Sequence, residues 1–150
     1  MRAVIQRVKE ASVTINKNIV AEIGIGFLVL LGIETEDSDT DINWLVRKIA
    51  NLRVFSDEND AMNHDISAVN GDIIVVSQFT LHASTKKGNR PSFIKAARPE
   101  IAIPLYETFV RELEKELDKK VQTGRFGAMM DIGLINEGPV TIIIDSKIKD

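Results

Sequence analysis

Apolar and polar positions alternate with a period of two along some stretches of this chain and recur every three or four residues along others. Residues 4–8 and 13–15 show the period of half-buried strands, and Asn16, Lys17 and Asn18 predict a hairpin turn into a strand over 19–23. Residues 26–33 are apolar on both faces, the pattern of a central strand covered on two sides. The spacing then changes. Ile42, Leu45, Val46, Ile49 and Leu52 predict an amphipathic helix over 39–52, with Asp37, Ser38 and Asp39 as capping candidates. Residues 55–71 are polar and rich in turn formers. A strong strand signal follows over 73–81, but its apolar run gives way to Ser77, Gln78 and Thr80. A second helix, beginning at Pro99 or Pro104 and ending near Leu117, carries a stripe of Leu105, Phe109, Val110, Leu113 and Leu117. Strands over 121–123, 128–135 and 140–144 complete the pattern.

This order lacks regular strand–helix–strand alternation. It predicts an α+β fold whose sheet is largely antiparallel and curled toward a barrel, with two main helices. The 150 residues fit a single domain spanning 1–150. The longest uninterrupted apolar run, 27–31, is far shorter than the roughly 20 residues of a membrane-crossing helix, and the first residues lack a secretory pattern. The chain contains no cysteine, so disulfides, thiol nucleophiles and thiolate metal sites are excluded. A cytoplasmic protein without membrane association is the expectation.

A formal net charge of −3 argues against nucleic-acid binding through bulk positive charge but leaves room for a local patch. Lys86, Lys87 and Arg90 form one tight basic cluster, either a solvated loop or a phosphate contact. The two histidines, His64 and His82, lie eighteen positions apart and in no ligand motif, so neither a metal nor a cofactor is expected. A hydroxyl nucleophile at Ser77 or Thr80 would need His82 as its base. On a continuing strand His82 shares a face with Gln78 and Thr80, but a two-residue step of about 6.5 Å exceeds a hydrogen bond. No glycine elbow surrounds Ser77. Gly138-Pro139, just ahead of an apolar run, is either a plain turn or a rigid pair whose backbone approaches a ligand, since glycine admits close approach and the bond before proline is cis at modest cost.

Four segments together resemble the D-aminoacyl-tRNA deacylase family of bacterial and eukaryotic type: Ser77-Gln78-Phe79-Thr80-Leu81, Lys87 through Phe93, Gly124-Arg125-Phe126-Gly127-Ala128, and Asn136-Glu137-Gly138-Pro139-Val140-Thr141. Glu137 and Met129 depart from the residues usual there. The resemblance spans nearly the whole chain. It implies a homodimeric hydrolase for proofreading in translation, which removes D-amino acids, and glycine mischarged on alanine tRNA, from the terminal adenosine of tRNA. Ser77, Gln78 and Thr80 are then the pocket floor, with backbone N–H groups near Phe79 and Thr80 as donors to the developing oxyanion. Gly138 and Pro139 are cis and enter the partner's pocket, where their carbonyls exclude an L side chain. Met130, Asn136 and Thr141 belong beside the substrate, and the RNA 2′-hydroxyl replaces a protein base. A serine-type esterase and a tRNA-end binding module without turnover stay open as rivals.

Overall fold

The computed structural model describes residues 1–149. Its organising element is the strand β1 (Arg2–Ile15), which pairs with three others. Its first half runs antiparallel to β3 (Gly26–Gly32), its second half to β2 (Asn18–Ile23), and nearly its whole length to β8 (Asp131–Asp145). The pattern of buried residues explains why the sequence alone suggests two shorter strands. Ala3 and Ile5 are buried, then Val8, then Ala11, Val13 and Ile15, so the alternation slips twice. The slips are β-bulges between Gln6 and Val8 and between Val8 and Glu10. Each bulge reverses which parity faces inward without ending the strand.

The sheet is mixed, which corrects the largely antiparallel expectation. β3 runs parallel to β6 (Asp72–Ser77), and β6 runs parallel to the short β7 (Gln122–Thr123). Both parallel pairs are joined by long crossovers, each containing a helix, and length of that order is what parallel pairing requires. The first carries α1 (Asp39–Ala50) and a small hairpin of β4 (Phe55–Ser56) and β5 (Met62–His64); the second carries α2 (Pro99–Leu117). Curling brings β7 back to β2. There the Gln122 amide completes the circuit, accepting from the Glu22 N–H and donating to the Glu22 carbonyl, both at 2.8 Å. A nearly closed barrel with two helices results.

β3 divides two cores. Phe27, Val29 and Leu31 pack with Ile73, Val75 and the helices, while Leu28 joins Val8, Val13, Ile74 and Val76 inside the barrel. The α1 stripe is buried as its spacing predicts, and α2 starts at Pro99 with Pro104 inside its first turns. Near the chain ends Ser146 and Lys147 tie β8 to α1 through Asp41. Burial alone would raise the Asp41 carboxyl, but hydrogen bonds from Ser146, Lys147 and the Ser38 backbone hold it well below the usual carboxylate range. Among the described residues no helix is long and apolar enough to cross a membrane.

Candidate functional site

β6 ends at Ser77, earlier than its apolar run suggests. Gln78 still donates its N–H to the Leu31 carbonyl at 2.8 Å, but its backbone has left the strand geometry. Phe79–His82 then form one turn of 3₁₀ helix, closed by the Leu81 N–H on the Gln78 carbonyl. The two-faced alternation expected over 77–82 therefore stops at residue 77. The change decides the fate of His82. Its ring turns inward and is buried against Gly32, where a β-carbon would lie 3.0 Å from the imidazole. Its Nδ1 sits 3.1 Å from the Glu34 carboxylate, and its Nε2 has no partner. Glu34 in turn bridges to Ala96 on the segment entering α2. His82 braces the turn from beneath and does not line the cleft above it.

Above that brace lies a cleft of about 400 Å³. Ser77, Gln78 and Phe79 line one side, Ala97 and Ala102 another, and Phe126 through Met130 with Ile132 a third. Thr80 is exposed at its edge and accepts a hydrogen bond from the Gln78 amide. Phe79 stands 56% exposed, its ring meeting Phe93 edge-on at 5.0 Å, so an aromatic pair forms part of the rim. Met130 is half-buried and reaches into the cleft because Gly124 leaves room for its sulfur; any side chain at Gly124 would strike that atom. Neighbouring Met129 is 90% exposed.

The chemistry of this lining is its most informative property. Hydroxyl, amide, thioether and aromatic groups are present, yet none of the lining side chains is a carboxylate, an imidazole, an amine or a guanidinium. The N–H groups of Phe79 and Thr80 open a helical turn, and such leading N–H groups have no acceptor within their own turn. The site can hold and polarise a carbonyl. It offers nothing that would accept a proton near neutral pH.

The second polar motif lies elsewhere. Residues 128–135 and 140–144, read as two strands, belong largely to the single strand β8, and the Gly138-Pro139 bond within it is cis. Asn136 pairs with Val8 and Thr141 with Gln6, so Glu137, Gly138, Pro139 and Val140 stand opposite Arg7 alone. The surplus bulges outward, leaving Gly138 and Pro139 exposed. Gly138 has φ +122°, a conformation that favours glycine.

Two residues that the sequence reading missed hold this corner. The Arg7 guanidinium, nearly buried, donates to the carbonyls of Glu137 and Val54. The Gln6 side-chain oxygen accepts from the Asn136 side-chain amide at 2.7 Å and the Thr141 hydroxyl at 3.3 Å, while the Asn136 Oδ1 accepts from the Val140 N–H at 3.0 Å. An arginine and a glutamine side by side in an otherwise alternating strand are a weak signal; register against β8 gives it meaning. Within one chain, then, Ser77, Gln78, Phe79, Thr80 and Met130 come together, and Asn136, Gly138, Pro139 and Thr141 form a separate projecting group. Lys86, Lys87 and Arg90 are exposed on a loop pinched at its base by Ser84 and Ser92. Among the described residues no group of three or more carboxylates and histidines is arranged for a metal.

A family model described as D-Tyr-tRNA(Tyr) deacylase matches residues 4–145. A protein of Flavobacterium psychrophilum named D-aminoacyl-tRNA deacylase is 65% identical over 150 residues, covering 100% of both chains. A protein of the same name from Flavobacterium johnsoniae is 63% identical over 147 residues, or 98% of each chain. Among solved structures, one described as c-Myc DNA Unwinding Element Binding Protein superposes with a TM-score of 0.91 at 41% identity, covering 97% of this chain and 98% of that one. Another, described as a probable eukaryotic D-amino acid tRNA deacylase, reaches 0.82 at 16% identity over 95% and 97% of the two chains, a likeness of fold.

Proposed function

The chain belongs to the D-aminoacyl-tRNA deacylase family and is a hydrolase of D-aminoacyl-tRNA, and from that premise we propose that it cleaves the ester without a protein nucleophile or base. The observation carrying this reading is the cleft lined by polar and apolar groups but by no titratable side chain. An aminoacyl ester is already activated, so holding it, admitting water and stabilising the oxyanion suffice. Ser77, Gln78 and Thr80 form the floor that positions the ester, and the N–H groups of Phe79 and Thr80 receive the oxyanion. Water adds to the carbonyl carbon; the neighbouring 2′-hydroxyl of the terminal adenosine relays its proton to the departing 3′-oxygen as the ester C–O bond breaks. Free amino acid and tRNA leave. The reading involves no metal or cofactor.

Chirality enters through a second copy of the chain. Its Gly138-Pro139 corner, exposed and braced by Arg7, Gln6, Asn136 and Thr141, would insert into a neighbouring cleft. Its carbonyls would occupy the space an L side chain needs, beside Met130. A filter that works by exclusion passes every D side chain, and it also passes glycine, which has no side chain to exclude; glycine mischarged on alanine tRNA is therefore a substrate. Lys86, Lys87 and Arg90 contact tRNA phosphate, and the working place is the cytoplasm, where aminoacyl-tRNA is made.

The decisive experiment compares purified protein on D-tyrosyl-, glycyl- and L-tyrosyl-tRNA, each ending in ordinary or 2′-deoxy adenosine. The expected result is rapid release from the first two, none from the L form, and loss of cleavage in the deoxy series. Equal rates on both enantiomers would refute the exclusion filter, and full activity on 2′-deoxy tRNA would refute the RNA-assisted step.

A further inference from the structure

A second surface carries a different signature. Along the outer face of α1 runs an open groove of about 840 Å³, bounded by Trp44, Arg47, Lys48, Asn51 and Arg53, with no carboxylate in its lining. Trp44 is half-buried, and Lys48 and Lys149 hold their ammonium groups 5.6 and 5.0 Å from the centre of its ring. Among the described residues Arg47, Lys48, Arg53 and Lys149 form no salt bridge, and Arg53 donates to the backbone and side-chain oxygens of Asn63. Three cations line this groove with no carboxylate among them, and two ammonium groups face the Trp44 ring, on a chain of net charge −3.

The place of the groove matters as much as its charge. Trp44 and Lys48 also border a second cleft, of about 720 Å³, whose far end is Leu81 in the 3₁₀ turn beneath the ester site. Arg2 spans part of that distance, donating to the Leu81 carbonyl at 2.7 Å while paired with Asp145. The cationic face of α1 thus shares Trp44 and Lys48 with a cleft that reaches the 3₁₀ turn. The loop of Lys86, Lys87 and Arg90 leaves the same turn in the chain direction.

We propose that the α1 groove binds the RNA of the substrate upstream of its terminal adenosine, with Arg47, Lys48 and Arg53 on consecutive phosphates and Trp44 stacking an unpaired base. The proposal rests on the aminoacyl-tRNA reading of the site. Cations interleaved with an aromatic face are how proteins hold single-stranded nucleic acid without reading its sequence, since every base has a π-face and every nucleotide a phosphate. Phosphates of the substrate supply the charge that the groove lacks. A protein that edits many aminoacyl-tRNAs needs contacts of this sequence-independent kind.

The test uses Arg47→Glu with Lys48→Glu, both side chains being exposed and outside the cleft. Binding of uncharged tRNA is measured across a salt series, and D-tyrosyl-adenosine, too short to reach the groove, serves as the second substrate. The expected result is a dissociation constant raised roughly tenfold, with the log–log salt slope smaller by about 1 to 2, while cleavage of D-tyrosyl-adenosine and the thermal midpoint stay unchanged. Trp44→Phe should bind tRNA nearly as the unaltered protein does, and Trp44→Ala more weakly. Unchanged tRNA affinity and slope in the charge-reversed protein would overturn the proposal and leave the groove to a protein partner. Equal losses on D-tyrosyl-adenosine would overturn it too, because the charges would then be acting on the cleft. If the unaltered protein failed to cleave D-tyrosyl-adenosine, the catalytic reading would be at fault, and the binding series would still decide the groove.

Discussion

The 3₁₀ turn at Phe79–His82 and the bulged corner at Gly138-Pro139 are both short irregularities at or within a strand, yet they face opposite ways in every physical sense. At the turn Ser77, Gln78 and Phe79 line a cleft, and its histidine is buried beneath it against Gly32. The corner projects: four residues of β8 oppose one of β1, and the surplus stands exposed, held from behind by Arg7. One region is concave and the other convex, and both are fixed by groups from neighbouring strands more than by their own sequence. Within one chain the lining of the cleft includes no residue of the corner.

The contrast breaks most completely at Gly138. A β-carbon there would lie 2.8 Å from an Arg7 guanidinium nitrogen and 3.0 Å from a Val140 methyl, in a backbone conformation that side chains rarely adopt. Gly138→Ala should reduce single-turnover hydrolysis of D-tyrosyl-tRNA by about 100-fold or more, or erase its preference over the L form, while the barrel still folds. Unaltered rate and preference would show that the corner has no part in selection. Removing the brace should do less. Arg7→Ala takes away donors to two carbonyls, each such charged hydrogen bond contributing roughly 1.5 to 3 kcal/mol, so the enantiomer ratio should fall on the order of tenfold. Arg7→Lys should recover it only in part, because an ammonium lacks the planar fork that spans both carbonyls. Enantiomer ratios in Arg7→Ala that match the unaltered protein would assign the brace to stability alone.

The smallest effects belong to the turn's side chains. Thr80→Ala and His82→Ala should each retain activity within roughly tenfold, and kcat against pH should show no bell between about pH 5 and 8, because no side chain of the cleft titrates there. Complete loss in His82→Ala with unchanged folding would restore a hydroxyl–histidine mechanism and cancel the distinction drawn between turn and corner.

Much of this arrangement was legible in the sequence where a period persists. The α1 stripe, the doubly covered β3 and the polar end of β6 all follow from spacing, and the paired motifs at 77–81 and 136–141 carry the family likeness. What was hidden depends on register. Two bulges scramble the alternation of β1, so one strand of fourteen residues reads as two. Parallel pairing of β3 with β6 is a property of the crossover, not of either strand. The 3₁₀ turn replaces a strand where the chain bends after Gln78, whose N–H makes the last bond to Leu31, something no apolar pattern announces. Arg7 and Gln6 acquire a role only when β8, some 130 residues later, lies beside them.

That last pairing also governs when the molecule can come into being. β1 is made first, and its ladder to β8 joins Arg2 to Asp145 and Thr14 to Asp131. Contacts so distant along the chain form late and slow the folding of a domain. During synthesis the hairpin of β1 and β2, and then β3, can assemble while the opposite edge of β1 waits unpaired, a template for unwanted association. The Met130 wall and the glycine–proline corner arrive only with the final strand. If the corner selects substrate as proposed, no nascent chain on the ribosome can edit until β8 has emerged.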